Sequence, residues 1–172
     1  MTKSIEIMAD EIAAQAKLFE VCGPDIVKQV ENIFRKTSLA EKVNRIYVTG
    51  CGDSFFAGIA CHDFIVKYAK THMEAYQAIE FSRYICPTEV DEHAVVLSIS
   101  SSGRVARTTE CAIRAREKKA ISIGVTRNPD GPLAQAASEK IIVNIPDVVG
   151  MAPGTQSYIA SILAVICFGI VL

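Results

Sequence analysis

HAVVLSISSSGRVARTTECAIRAR, residues 93–116, is the stretch that decides the fold. Its first half is an apolar, β-branched run that reads as a buried parallel strand. Its second half has helical spacing, with Val105, Ala112 and Ile113 set among acids and bases. Between them stand Ser100, Ser101, Ser102 and Gly103. A strand that ends in small hydroxyl residues and turns into a helix leaves several backbone N–H groups unpaired and aimed at one spot. Such a spot draws anions, because the free donors and the helix dipole add there. Each serine can donate a hydroxyl to a phosphate oxygen, and Gly103 lets the backbone come close without a Cβ. Taken alone, the same residues serve equally well as an N-cap after a strand.

Composition limits what surrounds this unit. With 172 residues, 50% of them apolar, the chain can bury the core of one domain, and one α/β domain is the expectation. A net charge of −1 gives no electrostatic case for a nucleic-acid partner, and Arg114, Arg116, Lys118 and Lys119 read as a solvated helix end. The cysteines (Cys22, Cys51, Cys61, Cys86, Cys111, Cys167) lie far apart, with no CxxC pair and only three histidines to complete a metal site. They are expected to be reduced and mostly buried, in a cytoplasmic protein without metal or cofactor. The N-terminus MTKSIEIMADE carries acids and no continuous apolar core, so it does not read as a targeting segment. The apolar run from Ile159 to Leu172 is shorter than the roughly 18 to 20 residues a membrane span requires, and Ser161 and Gly169 interrupt it. It reads as a buried helix. It stops on Val171-Leu172 without a polar cap or a glycine, which suggests the N-terminal half of a longer protein.

Outward from the central unit, residues 4–22 carry Ile5, Met8, Ile12, Leu18 and Phe19 on an amphipathic helix that Gly23-Pro24 is expected to end, and a second helix fits 25–35. RIYVT, residues 45–49, is a strand, followed by the loop Gly50-Cys51-Gly52-Asp53-Ser54 and a helical pattern over 55–68. Residues 73–78 make a short strand candidate, and 79–85 a helical turn ended by Pro87. AISIGVT, residues 120–126, is a further strand, the stretch 128–132 a turn, and 140–145 a fifth strand. Pro153-Gly154-Thr155 opens the final helix. Strands alternating with helices predict a three-layer α/β sandwich around a five-stranded parallel sheet of flavodoxin-like order 2-1-3-4-5, with N-terminal helices over 1–42 and the α/β domain over 43–172. In that order the crevice lies between the first and third strands, so GCGDS and SSSG stand side by side above it. Capping alone does not predict two anion-friendly loops at one crevice. A phosphate ligand does.

GCGDSFFAG (50–58), AIEFSRY (78–84), SISSSG (98–103) and GMAPGTQSY (150–158) together resemble the sugar isomerase (SIS) domain family, in particular the isomerase halves of glucosamine-6-phosphate synthases and related sugar-phosphate deaminases and fructosamine-phosphate deglycases. The resemblance runs from about Val43 onward. It implies that Ser54, Ser100 and Ser102, with Ser101 and Gly103 beside them, hold the phosphate of a sugar phosphate. It implies further that Cys51, Gly52 and Asp53 face the sugar, and that Met151, Ala152 and Pro153 close the site. Two positions depart from the family pattern: Val105 stands where a threonine is common, and Asp53 replaces the threonine of GCGTS. A carboxylate beside a phosphate is unfavourable unless it points elsewhere, to a sugar hydroxyl or an amine. Arg104 offers a cation nearby.

The family places two such domains in succession, of which this is the first, and draws the acid and base mainly from the second domain, the C-terminal tail and a neighbouring subunit. No catalytic residue is therefore assigned among Glu80, His62, His72 and His93. Glu80 is expected to orient Arg83, His62 to sit on the surface in mid-helix, and His93 to be solvated. The readings are an isomerase, deaminase or deglycase moving a proton between adjacent carbons of a hexose or amino-hexose phosphate, inactive as this segment alone, or a non-catalytic sugar-phosphate sensor. GCGDSF lacks the third glycine of GxGxxG, which argues against a dinucleotide enzyme. The apolar faces of the first and last helices predict a homo-oligomer, a dimer or higher.

Overall fold

The computed structural model of the chain describes residues 3–39, 43–146 and 154–172. It opens with helix α1 (Lys3–Thr37), one rod of 35 residues that runs straight through Pro24. The expected break at Gly23-Pro24 does not occur. Proline disfavours the α conformation of its predecessor in part by meeting that residue's Cβ, and Gly23 has none, which removes one of the obstacles to continuing the helix. On both sides of that point α1 buries one residue per turn, Leu18, Cys22, Ile26, Val30 and Ile33.

The sheet is formed by β1 (Arg45–Gly50), β2 (His72–Gln77), β3 (Ala94–Ile99), β4 (Ile121–Thr126) and β5 (Glu139–Ile142). All neighbours are parallel and the order is β2-β1-β3-β4-β5, as the alternation of elements predicts. All six residues of the central β3 are buried. Side chains alternate between two cores. Ile46, Val48, Val95, Leu97 and Ile99 pack under α1 and α7 (Thr155–Val171), whereas Tyr47, Ala94 and Val96 pack under the helices of the opposite layer. α2 (Asp53–Phe64), continued by a π-turn at Ile65–Ala69, lies beside α7 in the first layer.

The opposite layer departs from expectation at two points. After β2 the chain is helical from α3 (Ala78–Glu80) through a π-turn at Phe81–Ile85 into α4 (Cys86–Glu89). Pro87 therefore does not end the helical run; it stands in the first turn of α4, which extends to Glu89. α5 (Ala106–Glu117) buries Thr108, Cys111, Ala112 and Ala115, leaving Val105 and Ile113 exposed. Small residues face inward because this helix lies close to its neighbours, with the Cys111 thiol 3.2 Å from the Ala78 carbonyl. At the end of α5, Arg116 and Lys118 donate to the carbonyls of Ala136 and Pro87. A short α6 (Pro132–Ala136) precedes β5, which is shorter than the predicted 140–145.

At the β5 edge the Gln29 side chain donates to the Ile142 carbonyl at 2.9 Å and accepts the Ile142 N–H at 2.8 Å. Five of the six cysteines are buried and Cys51 is exposed, none in a disulfide. Among the described residues no helix is long and apolar enough to cross a membrane.

Candidate functional site

The loops after β1 and β3 converge as the strand order requires. They form two walls of a cleft of about 770 Å³ lined by Cys51, Asp53, Ser54, Ser100, Ser101, Ser102, Arg104 and Val105, with Arg127, Asn128 and Pro129 after β4 and Ser157 of α7. Strands β1 and β3 are adjacent and point the same way, so their C-terminal ends open on the same rim.

The conformation of each loop follows from its glycine. Gly52 stands at φ 55° and Gly103 at φ 66°, a region that side chains with a Cβ enter only with strain. At Gly103 a Cβ would also lie 2.8 Å from the Thr126 hydroxyl. The left-handed turn reverses the serine loop so that its carbonyls face the protein. Ser100 O accepts from Gly103 N–H, and Ser101 O from the Arg127 N–H and the Thr126 hydroxyl. Ser102 O accepts from the Asn128 side chain, and Gly103 O from Leu133 N–H. With the carbonyls engaged, the amides of Ser101 and Ser102, two cleft-lining residues, are left without a backbone acceptor among the described residues. Ser100, only 2% exposed, carries a hydroxyl with no partner among the described residues.

The serines do not cap α5. Val105 holds the N-cap position, and the Ser102 hydroxyl instead accepts the Arg104 N–H at 3.3 Å. The helix thus begins three residues later than a direct strand-to-helix turn would put it, and the anion-facing donors belong to the loop. On the other wall, Gly52 N-caps α2 and Asp53 starts it, exposed. The Cys51 thiol leans toward the Thr108 hydroxyl at 3.9 Å. Met151, Ala152 and Pro153 lie outside the described residues.

The remaining sequence candidates are scattered. His72 and His93 stand at the N-terminal ends of β2 and β3, the rim opposite the cleft, and His62 pairs with its neighbour Asp63 at 2.8 Å. Glu80 does not orient Arg83. That arginine pairs at 3.0 Å with Glu110, which also takes Arg107 and Arg114 at 2.7 and 2.9 Å. Hydrogen bonds from Arg107 above all hold the Glu110 carboxyl below its ordinary range. Among the described residues no group of three or more His, Cys, Asp or Glu is placed to hold a metal ion.

Three contributors escaped the sequence reading. Arg127 and Asn128 follow β4, and their place after a parallel strand was the available signal, since loops at that end line the crevice. The third is Glu11 of α1, whose carboxylate accepts the Gln156 N–H at 3.0 Å and the Thr155 hydroxyl at 3.2 Å, satisfying the start of α7 just before the cleft residue Ser157. No local pattern reveals a cap supplied from so far along the chain.

Residues 39–169 match the family described as SIS domain. A glutamine–fructose-6-phosphate aminotransferase (isomerizing) of Clostridium tetani is 29% identical over an alignment 164 residues long that covers 91% of this chain and 26% of that protein. The chain therefore spans about a quarter of that relative. The C-terminal domain of glucosamine-fructose-6-phosphate aminotransferase from Francisella tularensis superposes with a TM-score of 0.70 at 20% identity, over 92% of this chain and 47% of that one. The Vibrio vulnificus NanR protein, solved with ManNAc-6P, superposes with a TM-score of 0.64 at 13% identity, over 95% and 60%. At these identities the two structures share the fold.

Proposed function

The chain belongs to the SIS domain family, related to sugar-phosphate isomerases and binding proteins, and on that premise we propose that its cleft holds the phosphate of a phosphorylated sugar. One observation carries this reading: loops from two different strands bring Ser54, Ser100, Ser101 and Ser102 to one cleft, with the carbonyls of the serine loop turned away from it. Donors without acceptors, together with the cations Arg104 and Arg127 in the lining, favour an anion. Cys51, Gly52 and Asp53 would face the sugar, and Met151 to Pro153 would close over it.

In the whole protein this domain is the substrate-binding half of a sugar-phosphate isomerase, deaminase or deglycase, followed by a second domain that supplies the acid and base. The lining is consistent with that division, because proton transfer between adjacent carbons needs a paired acid and base, and Asp53 is the one carboxylate among the described lining residues, which include no histidine. Purified 1–172 should accordingly show no isomerisation of fructose 6-phosphate. The same lack of acid and base also suits a sugar-phosphate sensor; turnover by the full-length protein decides against the sensor.

The binding reading is tested by titration calorimetry with fructose 6-phosphate, using fructose as control. Ser102→Ala and Ser54→Ala each remove a hydrogen bond to a charged oxygen, worth about 1.5 to 3 kcal/mol, or about 10- to 150-fold in affinity. Ser54 is decisive because it stands on the other loop and no capping role links it to Ser102. If neither variant loses affinity, or if fructose binds as well as its phosphate, the convergent loops are fold without site.

A further inference from the structure

The two edges of the sheet differ. At β5 the Gln29 side chain meets the N–H and carbonyl of Ile142, and the Cys22 thiol donates to the Asn144 carbonyl, so α1 covers that edge. At β2 no backbone group bonds to anything other than β1 among the described residues. Which groups are open there follows from the ladder. In a parallel strand successive residues turn both backbone groups to opposite sides. The Asn44 N–H bonds to the His93 carbonyl, so the even-numbered residues of β1 face β3, and Arg45, Tyr47 and Thr49 face β2. Met73, Ala75 and Gln77 answer them, and His72, Glu74 and Tyr76 turn N–H and carbonyl outward.

Beside the open edge lies a groove of about 250 Å³ lined by Ile59 and His62 of α2 and by Glu74, Ala75 and Tyr76 of β2. It is below the roughly 300 Å³ at which small-molecule sites begin. Its apolar wall stands in water: Ile59 is 48% exposed, and Val66, two turns further on, is 42% exposed. Unpaired strand groups under an apolar overhang are a template for another strand.

A second copy of the same strand fits it. A two-fold axis perpendicular to a sheet maps each face onto itself, so one residue must stand opposite its own copy. Centring on Glu74 or on Ala75 keeps most of β2 paired. The first sets a carboxylate against its own copy, which is unfavourable. The second sets Ala75 against Ala75 and Glu74 opposite the partner's Tyr76. Within the chain the Tyr76 hydroxyl already donates to the Glu74 carboxylate at 3.0 Å, and the same acceptor and donor face each other across the axis. Glu74 and Tyr76 carry the outward groups, so each such pair exchanges backbone hydrogen bonds, and Ala75 falls in the close, non-hydrogen-bonded position that a small side chain suits. Ile59 shares the groove with Ala75, so the partner's Ile59 arrives at the same place and the two shield each other from water.

We infer that β2 is an interface between copies of this chain: two β2 strands pair antiparallel about Ala75 and join two sheets into one, with α2 of each copy side by side over the axis. The inference does not depend on what the serine cleft binds.

Two measurements test it. In a Cys51→Ser background, which removes the exposed thiol, Ala75→Cys should form an intermolecular disulfide on mild oxidation. The Cα atoms of a non-hydrogen-bonded pair stand about 4.5 Å apart, within disulfide reach. Glu74→Cys in the same background should cross-link at least about tenfold less, because residue 74 does not face its own copy. In wild type, hydrogen exchange at the Glu74 and Tyr76 amides should slow about tenfold from dilute to concentrated protein, while the His72 amide, outward but beyond the paired stretch, stays fast. Glu74→Pro removes an outward N–H and no bond to β1, so it should keep the melting temperature and abolish the slowing at Tyr76. If exchange at Glu74 and Tyr76 is the same at every concentration, the inference falls, whether the protein is then a monomer or assembles through another face. If Glu74→Cys cross-links as readily as Ala75→Cys, the register is wrong and the inference falls with it.

Discussion

Replacing Glu11 by alanine tests whether the N-terminal helix holds the site together. The Glu11 carboxylate is the acceptor for two groups at the start of α7, the Gln156 N–H and the Thr155 hydroxyl. An N-cap acceptor is worth about 1 kcal/mol, and a negative charge at a helix N-terminus adds about 0.3 to 1 kcal/mol. Gln156 is 2% exposed, so its amide regains little from water when the acceptor is lost. The better helix propensity of alanine in α1 returns a few tenths of a kcal/mol. The sum is a loss of about 2 kcal/mol, which for a domain of this size lowers Tm by about 4 to 8 °C. Glu11→Gln keeps an acceptor and loses the charge, so it should fall about midway. Differential scanning calorimetry measures both, and amide exchange at Gln156 gives the local readout, faster in Glu11→Ala. A drop below about 1 °C in Glu11→Ala, with exchange at Gln156 unchanged, would refute the cap.

Gly103→Ala should cost about 2 to 3 kcal/mol by urea unfolding, combining backbone strain with the clash at Thr126; Gly52→Ala, whose Cβ meets nothing within 4 Å, should cost only the strain, about 1 to 2 kcal/mol. Equal costs would mean that the Thr126 contact is immaterial. Burial pushes the Cys61 and Cys111 thiols up to about 12, above their unfolded value of 9.0. The folded state therefore holds protons that the unfolded state gives up between those limits, so stability is intact below pH 9 and declines as pH rises from there toward 12. A stability that stays flat across that window would contradict their burial. Native protein should react with a thiol reagent at Cys51 alone, and fructose 6-phosphate should slow that reaction. Ile5, Met8, Ile12 and Phe19 stand exposed along α1, and sedimentation should find a dimer or larger species; only monomer at high concentration would count against it.

The sheet was legible because each parallel strand is a short β-branched run, and because helices between strands leave few topologies open. The cleft followed from the order, since the switch point sets GCGDS beside SSSG before any side chain is placed. The misreadings have a common origin. Proline usually stops a helix, yet Pro24 follows a glycine, which has no Cβ for the ring to meet, and Pro87 stands in the first turn of α4. At α5 the apolar Val105 and Ile113 lie outward and Thr108 and Ala115 inward, because a close approach to its neighbours selects for size rather than hydrophobicity. Glu80 was assigned to Arg83 by nearness in sequence, and the partner came from another helix. Arg127 showed its place after a strand but no motif.

The paired hydrogen bonds of Gln29 to Ile142 have a consequence for the life of the chain before it is finished. A side-chain amide presents an N–H and a carbonyl at the spacing of a peptide group, so toward Ile142 Gln29 acts as a sixth strand one residue long, while its nitrogen also donates to Asp25. β5 is made after the other four strands of this sheet and lies at its margin, where an open N–H and carbonyl invite a strand from another molecule. On a polysome, sister copies emerge close together and each exposes the same margin for a time. Because α1 precedes β5 in the chain, its glutamine is available to pair with that margin as soon as β5 is made.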